Sequence, residues 1–339
     1  MKRSVSHALS LGGVAFIVVG ISLLLIAMVG SSIPSSLSSF VLGIIGSSYA
    51  IGEVLVRATP LMLAALGVSI GFRTGYINIG AEGQIYLGAI AITWLGMTFP
   101  FLPPILMIPL ALLLGFLAGG LWSVIPGILK ARFGLSEIIN TIMLNYIAIN
   151  LVGILVRTSL KDPSYPYPMS PMLPSATSFP MLLPPTRLHA GFLLALICAA
   201  LVYLLMFRTS TGFCLRAVGL NKRASICSGI SVRGHMILSA LLSGGFAGLA
   251  GASEIAGLHH RLIEGISPSY GYLAIVVSLL GKNHPFLIIL SSLGIAALQV
   301  GSMAMQRSSG VPTSIASIIM GLLVVMILAR KQLFGCKEE

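Results

Sequence analysis

The sequence predicts an all-α integral membrane protein of about ten transmembrane helices. Three observations predict it. The chain is 56% hydrophobic and only 8% charged, with a mean hydropathy of +1.02, whereas a soluble domain carries about 25% charged residues. Its apolar runs are about 20 residues long, the length of a spanning helix and too long for the strands of a membrane barrel. Its 38 glycines suit membrane helices whose backbones approach closely at small residues.

Each element can be justified in order. Met1-Lys2-Arg3 opens a basic N-terminus. The apolar run Leu9–Val29 reads as an uncleaved first helix, because Ser31-Ser-Ile-Pro34 makes a poor cleavage site. Ser31–Ser48 is uncharged and Ser-rich, so it is a loop or a short interfacial helix. The second helix spans Ile51–Phe72. Glu53 and Arg57 stand one turn apart near its start and can pair, and Pro60 kinks it. The third helix ends near Met97 and carries Gly75-Tyr-Ile-Asn78-Ile-Gly80-Ala-Glu82-Gly83-Gln84-Ile-Tyr86. At helical spacing Asn78, Glu82, Tyr86, Ala89 and Thr93 share a face. A carboxylate and two amides at membrane depth are costly, and such groups mark functional sites.

Pro100, Pro103 and Pro104 precede a fourth helix, Ile105–Leu129. A fifth runs from Ser136 to Val156 with Glu137, Thr141 and Asn145 on one face. Two roles are open to Glu137: charge at the positive helix N-terminus beside a Ser136 cap, or a place in a polar pathway. From 158 to 187 the chain is Pro-rich and excludes a helix, which predicts an external loop on which a soluble partner can rest. The sixth helix is Leu188–Phe207, and the basic loop 208–234 follows. The seventh, Met236–Gly257, is dense in glycine and alanine, and Ser239, Ser243, Ala247, Ala250 and Glu254 share a face. Tyr270–Leu280 is a short eighth segment. Phe286–Met305 and Thr313–Ala329 complete the ten. The domain reading is an N-terminal helix and external loop (1–50), a transmembrane body (51–330) and a short tail (331–339).

Charge sets the predicted orientation. With the N-terminus inside, fourteen of the 20 Lys and Arg residues fall in cytoplasmic segments. Arg157, Lys161, Arg187, Arg261 and Arg307 fall outside, and Arg57 lies within a helix. That asymmetry places both termini in the cytoplasm. It also accounts for the net charge of +12 without nucleic acid. The four cysteines form no disulfide framework and read as buried or reduced thiols. Adjacent His259 and His260 point in different directions on a helix and do not chelate a metal.

No catalytic constellation is legible. Gly281-Lys282 is followed by Asn283, so there is no P-loop, and there is no nucleophile elbow or metal-ligand spacing. A polar-lined bundle without catalytic groups reads as a pathway, with Asn78, Glu82, Gln84, Tyr86, Asn145 and Glu254 as candidate lining residues. Glu82 has two possible roles, a hydrogen bond that fixes helix packing beside Gly80 and Gly83, or contact with the transported molecule. In the basic loop, Gly212 to Ile230 reads as a short helix with Asn221 as N-cap and Gly229 as its stop.

That loop resembles the segment by which permease subunits of ABC importers touch their ATPase. Together with Asn78-x-Gly80-x-Glu82-Gly83-Gln84, it resembles the branched permease family that serves simple sugars, nucleosides and branched-chain amino acids, and within it the nucleoside-type permeases. The resemblance extends from about Ile51 to Arg330, and Gly281-Lys-Asn-His-Pro285 fits the family's charged turn. It implies a type II ABC importer permease in a bacterial cytoplasmic (inner) membrane, paired with itself or a second permease. ATP would be hydrolysed by two separate ATPase subunits, with no cofactor in this chain. Substrate would come from an extracytoplasmic lipoprotein receptor. Arg216, Gly219, Asn221, Ala224 and Gly229 would then form the ATPase-coupling segment. The alternatives are a permease for ribose or galactose and an ion-coupled carrier with Glu82 and Glu254 titrating. The topology predicts that a cysteine placed near residue 170 reacts with an impermeant thiol reagent from outside intact cells and one near 222 does not; the opposite pattern excludes it.

Overall fold

The computed structural model describes residues 31–312 continuously, with residues 20, 21, 23, 24, 27, 28, 314, 315, 317, 318, 321 and 322 beside them. The predicted spans Leu9–Val29 and Thr313–Ala329 and the tail 331–339 lie outside the continuous part. Among the described residues the structure is helical, with two isolated β-bridges and no strand. The helices are α1 (Ile33–Ile45), α2 (Ser48–Thr74), α3 (Ala81–Thr98), α4 (Pro104–Phe133), α5 (Glu137–Arg157), α6 (Gly191–Arg208), α7 (Ser210–Leu220), α8 (Lys222–Cys227), α9 (Val232–Glu254), α10 (Tyr270–Leu280) and α11 (Pro285–Ser309). Six of them, α2, α4, α5, α6, α9 with its terminal π-turn, and α11, are long and apolar enough to cross a membrane.

The chain divides into two units, residues 1–54 with 293–339 and residues 55–292. In the first, α1 replaces the predicted loop-or-helix with a full helix that has Pro34 in its first turn, where a missing N–H costs nothing. Gly43 faces Ala304, and Gly301 faces the Phe40 ring. Ser31 Oγ donates to the Ser309 carbonyl at 3.0 Å.

The second unit is organised around α9 and residues 55–71 of α2. Along its spanning stretch α9 is 78% buried, whereas α4 and α5 are 28% and 22% buried. Burial follows from side-chain size. Gly244, Gly248 and Gly251 of α9 lie against the backbones of Gly119, Gly115 and Ile85, with no room for a Cβ between them. α9 therefore packs closely on both α4 and α3, the small-residue mode of membrane helix association. Tyr86, Ile92, Met107, Val152 and Ile255 then fill the apolar core among α3, α4, α5 and α9.

Two loops are more ordered than their composition suggests. The Pro-rich stretch contains a 3₁₀ turn, Ser175–Thr177, and is tied to the segment beyond α9. Ser170 N donates to Leu262 O at 2.9 Å, Leu173 N to His260 O at 2.9 Å and Phe179 N to Ala256 O at 2.8 Å. In the basic loop, the single predicted helix is two. α7 precedes α8, capped by Thr209, and α8 begins where Asn221 Oδ1 accepts from Ala224 N at 3.1 Å. Gly229, at φ +76°, ends the second turn. The predicted cap and stop are thus where expected, while Ser210–Leu220 lacks the strong apolar period that would have announced it.

The close contact of α9 with α3 yields a stability prediction. A Cβ at Gly251 meets the Ile85 carbonyl, which is backbone and cannot rotate away. Gly251→Ala is expected to destabilise the protein by about 1–3 kcal/mol, the usual cost of overpacking. Thermal unfolding of the purified protein in detergent measures it, and an unchanged midpoint refutes the packing account.

Candidate functional site

The break between α2 and α3 gathers the buried side chains of Asn78, Glu82, Gln84, Glu137 and Asn145. α2 ends in a double hydrogen-bonded turn. Gly75, at φ +75°, donates to Phe72 O at 3.2 Å and Tyr76 N donates to Gly71 O at 2.9 Å. This is the Schellman arrangement, which favours glycine at the left-handed position. Residues 75–80 are then non-helical until α3 starts at Ala81. The predicted single polar helix face is therefore corrected: Asn78 lies in the break, not on α3. Sequence periodicity could not show this, because the residues on either side are apolar in both conformations.

Asn78 is held at both atoms of its amide. Its Oδ1 accepts from Gly80 N at 2.9 Å and from Gln84 Nε2 at 3.1 Å. Its Nδ2 donates to Gln84 Oε1 at 2.8 Å and to Ser243 Oγ of α9 at 2.9 Å. Asn145 of α5 closes the other side. Its Oδ1 accepts from Gly83 N at 2.8 Å, and its Nδ2 donates to Ile79 O at 2.9 Å and to Tyr272 Oη of α10 at 3.2 Å. Every donor and acceptor of the two asparagine side chains is thereby used inside the protein, and both residues are fully buried.

The carboxylates of the break are also satisfied. Glu82 accepts from Gly271 N at 2.7 Å and lies at the N-terminus of α10, where free N–H groups favour an anion. Glu137 pairs with Lys130 and accepts from Ile77 N at 3.3 Å. Lys130 Nζ also donates to Gly75 O at 2.9 Å and lies 5.8 Å from the centre of the Tyr76 ring. Ser136 occupies the N-cap position of α5 without a side-chain cap, so the lysine pair engages Glu137 where a cap was expected.

The six predicted pathway residues thus separate. Asn78, Gln84 and Asn145 belong to one knot about the break, and Glu82 adjoins it. Tyr86, a turn further along, packs in the apolar core. Glu254 lies apart at the end of α9, with its Oε2 3.5 Å from His259 Nε2. None of the six is more than 3% exposed. Ser243, Tyr272, Gly271 and Lys130 complete the knot, and only Ser243 had been signalled by its polar face.

The predicted coupling residues also divide. Arg216 and Gly219 pack against neighbouring elements. Arg216 Nη1 donates to Met206 O at 2.6 Å, and its guanidinium lies 5.1 Å from the Phe207 ring centre, which Arg73 approaches at 4.9 Å. Gly219 lies directly against the Arg73 carbonyl. Asn221, Ala224 and Gly229 are exposed on α8 and the turn that ends it.

Long apolar helices, a helix break held by buried amides, and a short capped helix on an exposed loop define a polytopic membrane transport protein. The model of the family described as "Branched-chain amino acid transport system / permease component" matches residues 50–328. The chain belongs to this permease family. It is 37% identical over 313 residues to the guanosine ABC transporter permease protein NupP of Bacillus subtilis, covering 90% of this chain and 88% of that one. It is 35% identical to the glucose ABC transporter permease protein TsgB13 of Haloferax volcanii, covering 83% and 77%. It is 32% identical to the nucleoside ABC transporter permease protein NupB of Lactococcus lactis, covering 84% and 80%. No solved structure matches the chain.

The Asn78–Gln84 pair is testable as a unit. Asn78→Leu strands the Gln84 amide and the Ser243 hydroxyl in the core, and each buried unsatisfied group costs about 1–3 kcal/mol. The double variant Asn78→Leu/Gln84→Leu removes both amides of the pair. It is expected to be less destabilised than the sum of the two single variants, a coupling measurable by thermal unfolding. Strict additivity is incompatible with the pair.

Proposed function

We propose that this chain is the membrane-spanning, non-catalytic permease subunit of an ATP-driven importer for nucleosides in a bacterial cytoplasmic membrane. The observation that carries the substrate class is the likeness, at 37% identity along nine-tenths of the chain, to a relative named for guanosine. A second relative named for nucleosides supports it. A simple sugar is the competing substrate, favoured by the Haloferax relative named for glucose. Permease family membership argues against an ion-coupled carrier, and the hydrogen bond from Gly271 N to Glu82 supports a packing role for that carboxylate.

In this reading both termini are cytoplasmic, two ATPase subunits hydrolyse the ATP, and a second permease completes the membrane portion. A lipoprotein receptor delivers substrate to the external side, where the pinned Pro-rich loop offers Tyr165 and Tyr167 at its surface. α8 is the docking helix for an ATPase. Asn221 and Gly229 define its ends, and the small, exposed Ala224 lets a partner surface approach. α7 passes the motion on, because Gly219 touches the Arg73 carbonyl, two residues before the break at Gly75. The end of α2 beside the break is therefore one of the membrane elements that a displaced α8 would move, with α6 and α9. The buried knot then serves as the rigid part that moves as one body.

The test uses the assembled transporter, with both permeases, ATPase and receptor, in proteoliposomes. ATP-dependent uptake of labelled guanosine is expected, competed by unlabelled nucleosides and not by ribose or glucose. Competition by sugar alone transfers the assignment to the sugar class. In the same assay Ala224→Trp is expected to leave membrane insertion normal and lower uptake by about tenfold or more, a loss of at least ~1.4 kcal/mol in coupling. Normal uptake by Ala224→Trp removes α8 from the docking role.

A further inference from the structure

Four elements meet around one phenyl ring. Phe207 is the penultimate residue of α6. The guanidiniums of Arg73, in the last turn of α2, and of Arg216, on α7, lie over its ring at 4.9 and 5.1 Å from the centre. His284, in the turn between α10 and α11, lies 5.5 Å from it, centre to centre. Tyr203, one turn earlier on α6, stands 5.2 Å from Phe207, 5.9 Å from His284 and 4.9 Å from Phe286 at the start of α11.

The ring has an electrostatic part in this arrangement. Two like charges beside one ring repel, and among the described residues neither arginine forms an ion pair. Each is held instead by a backbone carbonyl and by the negative face of the ring. Arg73 Nε donates to Asn283 O at 2.7 Å, and Arg216 Nη1 donates to Met206 O at 2.6 Å. Without the ring, the two cations would keep one carbonyl each and lose the group they share.

The turn that Arg73 grips is strained. Lys282 and Asn283 have φ of +50° and +54°, the left-handed region, which costs free energy in a residue with a side chain. Asn283 is fixed there from three sides. Its N donates to Ser278 O at 2.8 Å, its Oδ1 accepts from Ser278 Oγ at 2.8 Å, and its carbonyl accepts from Arg73. Gly281-Lys-Asn-His-Pro285 is thus a braced corner clamped to the end of α2.

α10 joins that corner to the buried break. It is 11 residues long, about 16 Å, and it is bonded at both ends. At its start Gly271 N donates to Glu82, and Tyr272 Oη accepts from Asn145. Just past its end is Asn283, held by Arg73.

Building on the reading of an ATP-driven importer with α8 as docking helix, we propose that Phe207, with Arg73 and Arg216, is a positioning joint. It makes α7, the end of α2 and the turn between α10 and α11 move as one body in the transport cycle. α10 is then a strut that carries the displacement to the far side of the break, at Glu82 and Asn145.

The test uses the assembled transporter in proteoliposomes. Phe207→Leu removes the aromatic face and keeps an apolar side chain, whereas Phe207→Trp keeps the face. Phe207→Leu is expected to lower guanosine uptake by about tenfold while ATP hydrolysis falls less than about twofold, a loss on the scale of typical coupling between sites. Phe207→Trp is expected to keep the wild-type ratio of ATP hydrolysed to guanosine imported. A merely structural role would lower uptake and hydrolysis together, so an unchanged ratio in Phe207→Leu overturns the joint. A second measurement needs neither that variant nor a known substrate. Spin labels are placed by cysteine substitution at the exposed Leu220 of α7 and Leu290 of α11, with native cysteines replaced by serine. Their separation is expected to stay within about 2 Å, the scale of small helix shifts, between the nucleotide-free and vanadate-trapped states. The separation of Leu220 from Leu106 of α4 is expected to change by more. A larger change in the first pair, or none in the second, overturns the proposal. A transporter that imports a sugar and no nucleoside refutes the substrate reading alone, and the ratio is then read with that sugar. Ala224→Trp tests the docking role of α8 separately.

Discussion

A bilayer core contains no water to hydrogen-bond an interrupted helix, and the rest of this structure depends on how that constraint is met at residues 75–80. The chain leaves the helical ladder for six residues, and the freed backbone groups must find partners in protein. Gly71 and Phe72 carbonyls take the N–H groups of Tyr76 and Gly75. Glu137 takes Ile77 N, Asn78 takes Gly80 N, Asn145 takes Gly83 N and holds Ile79 O, and Lys130 holds Gly75 O. The partners come from α2, α4, α5 and the break itself, while α9 contributes Ser243 to Asn78. Asn78, Glu82, Gln84 and Asn145, which looked like candidates for substrate, are thus already engaged by the backbone or by other side chains.

Packing makes this arrangement reachable. Ser243 can approach Asn78 only because α9 is narrow, with glycines where α3 and α4 cross it. Larger residues would hold the helices apart by the width of a side chain and leave the amides at distances where hydrogen bonds fail. The small-residue character of α9 and the polar character of the break are therefore one feature seen from two helices.

The apolar lengths made six long helices legible within a few residues, α2, α4, α5, α6, α9 and α11. Capping chemistry made α8 legible, since Asn221 and Gly229 are local signals. The break was not legible. Asn78, Glu82 and Tyr86 fit a helical period, and the left-handed turn at Gly75 depends on contacts with residues far along the chain. The division of the pathway candidates was hidden for the same reason, because the partners of Asn145 lie 62 to 127 residues away.

The double duty of Asn145 bears on how such permeases diverge. One side chain serves Ile79 of the break, Gly83 in the turn of α3 just after it, and Tyr272 of α10 far along the chain. A change at Asn145 strands a group in each of them, so these positions drift in concert. The natural module for recombination between relatives is then not a helix or a contiguous stretch. It is the break together with the α5 and α10 segments that clasp it, and a chimera that separates them inherits a hole in its wiring even when every span is intact.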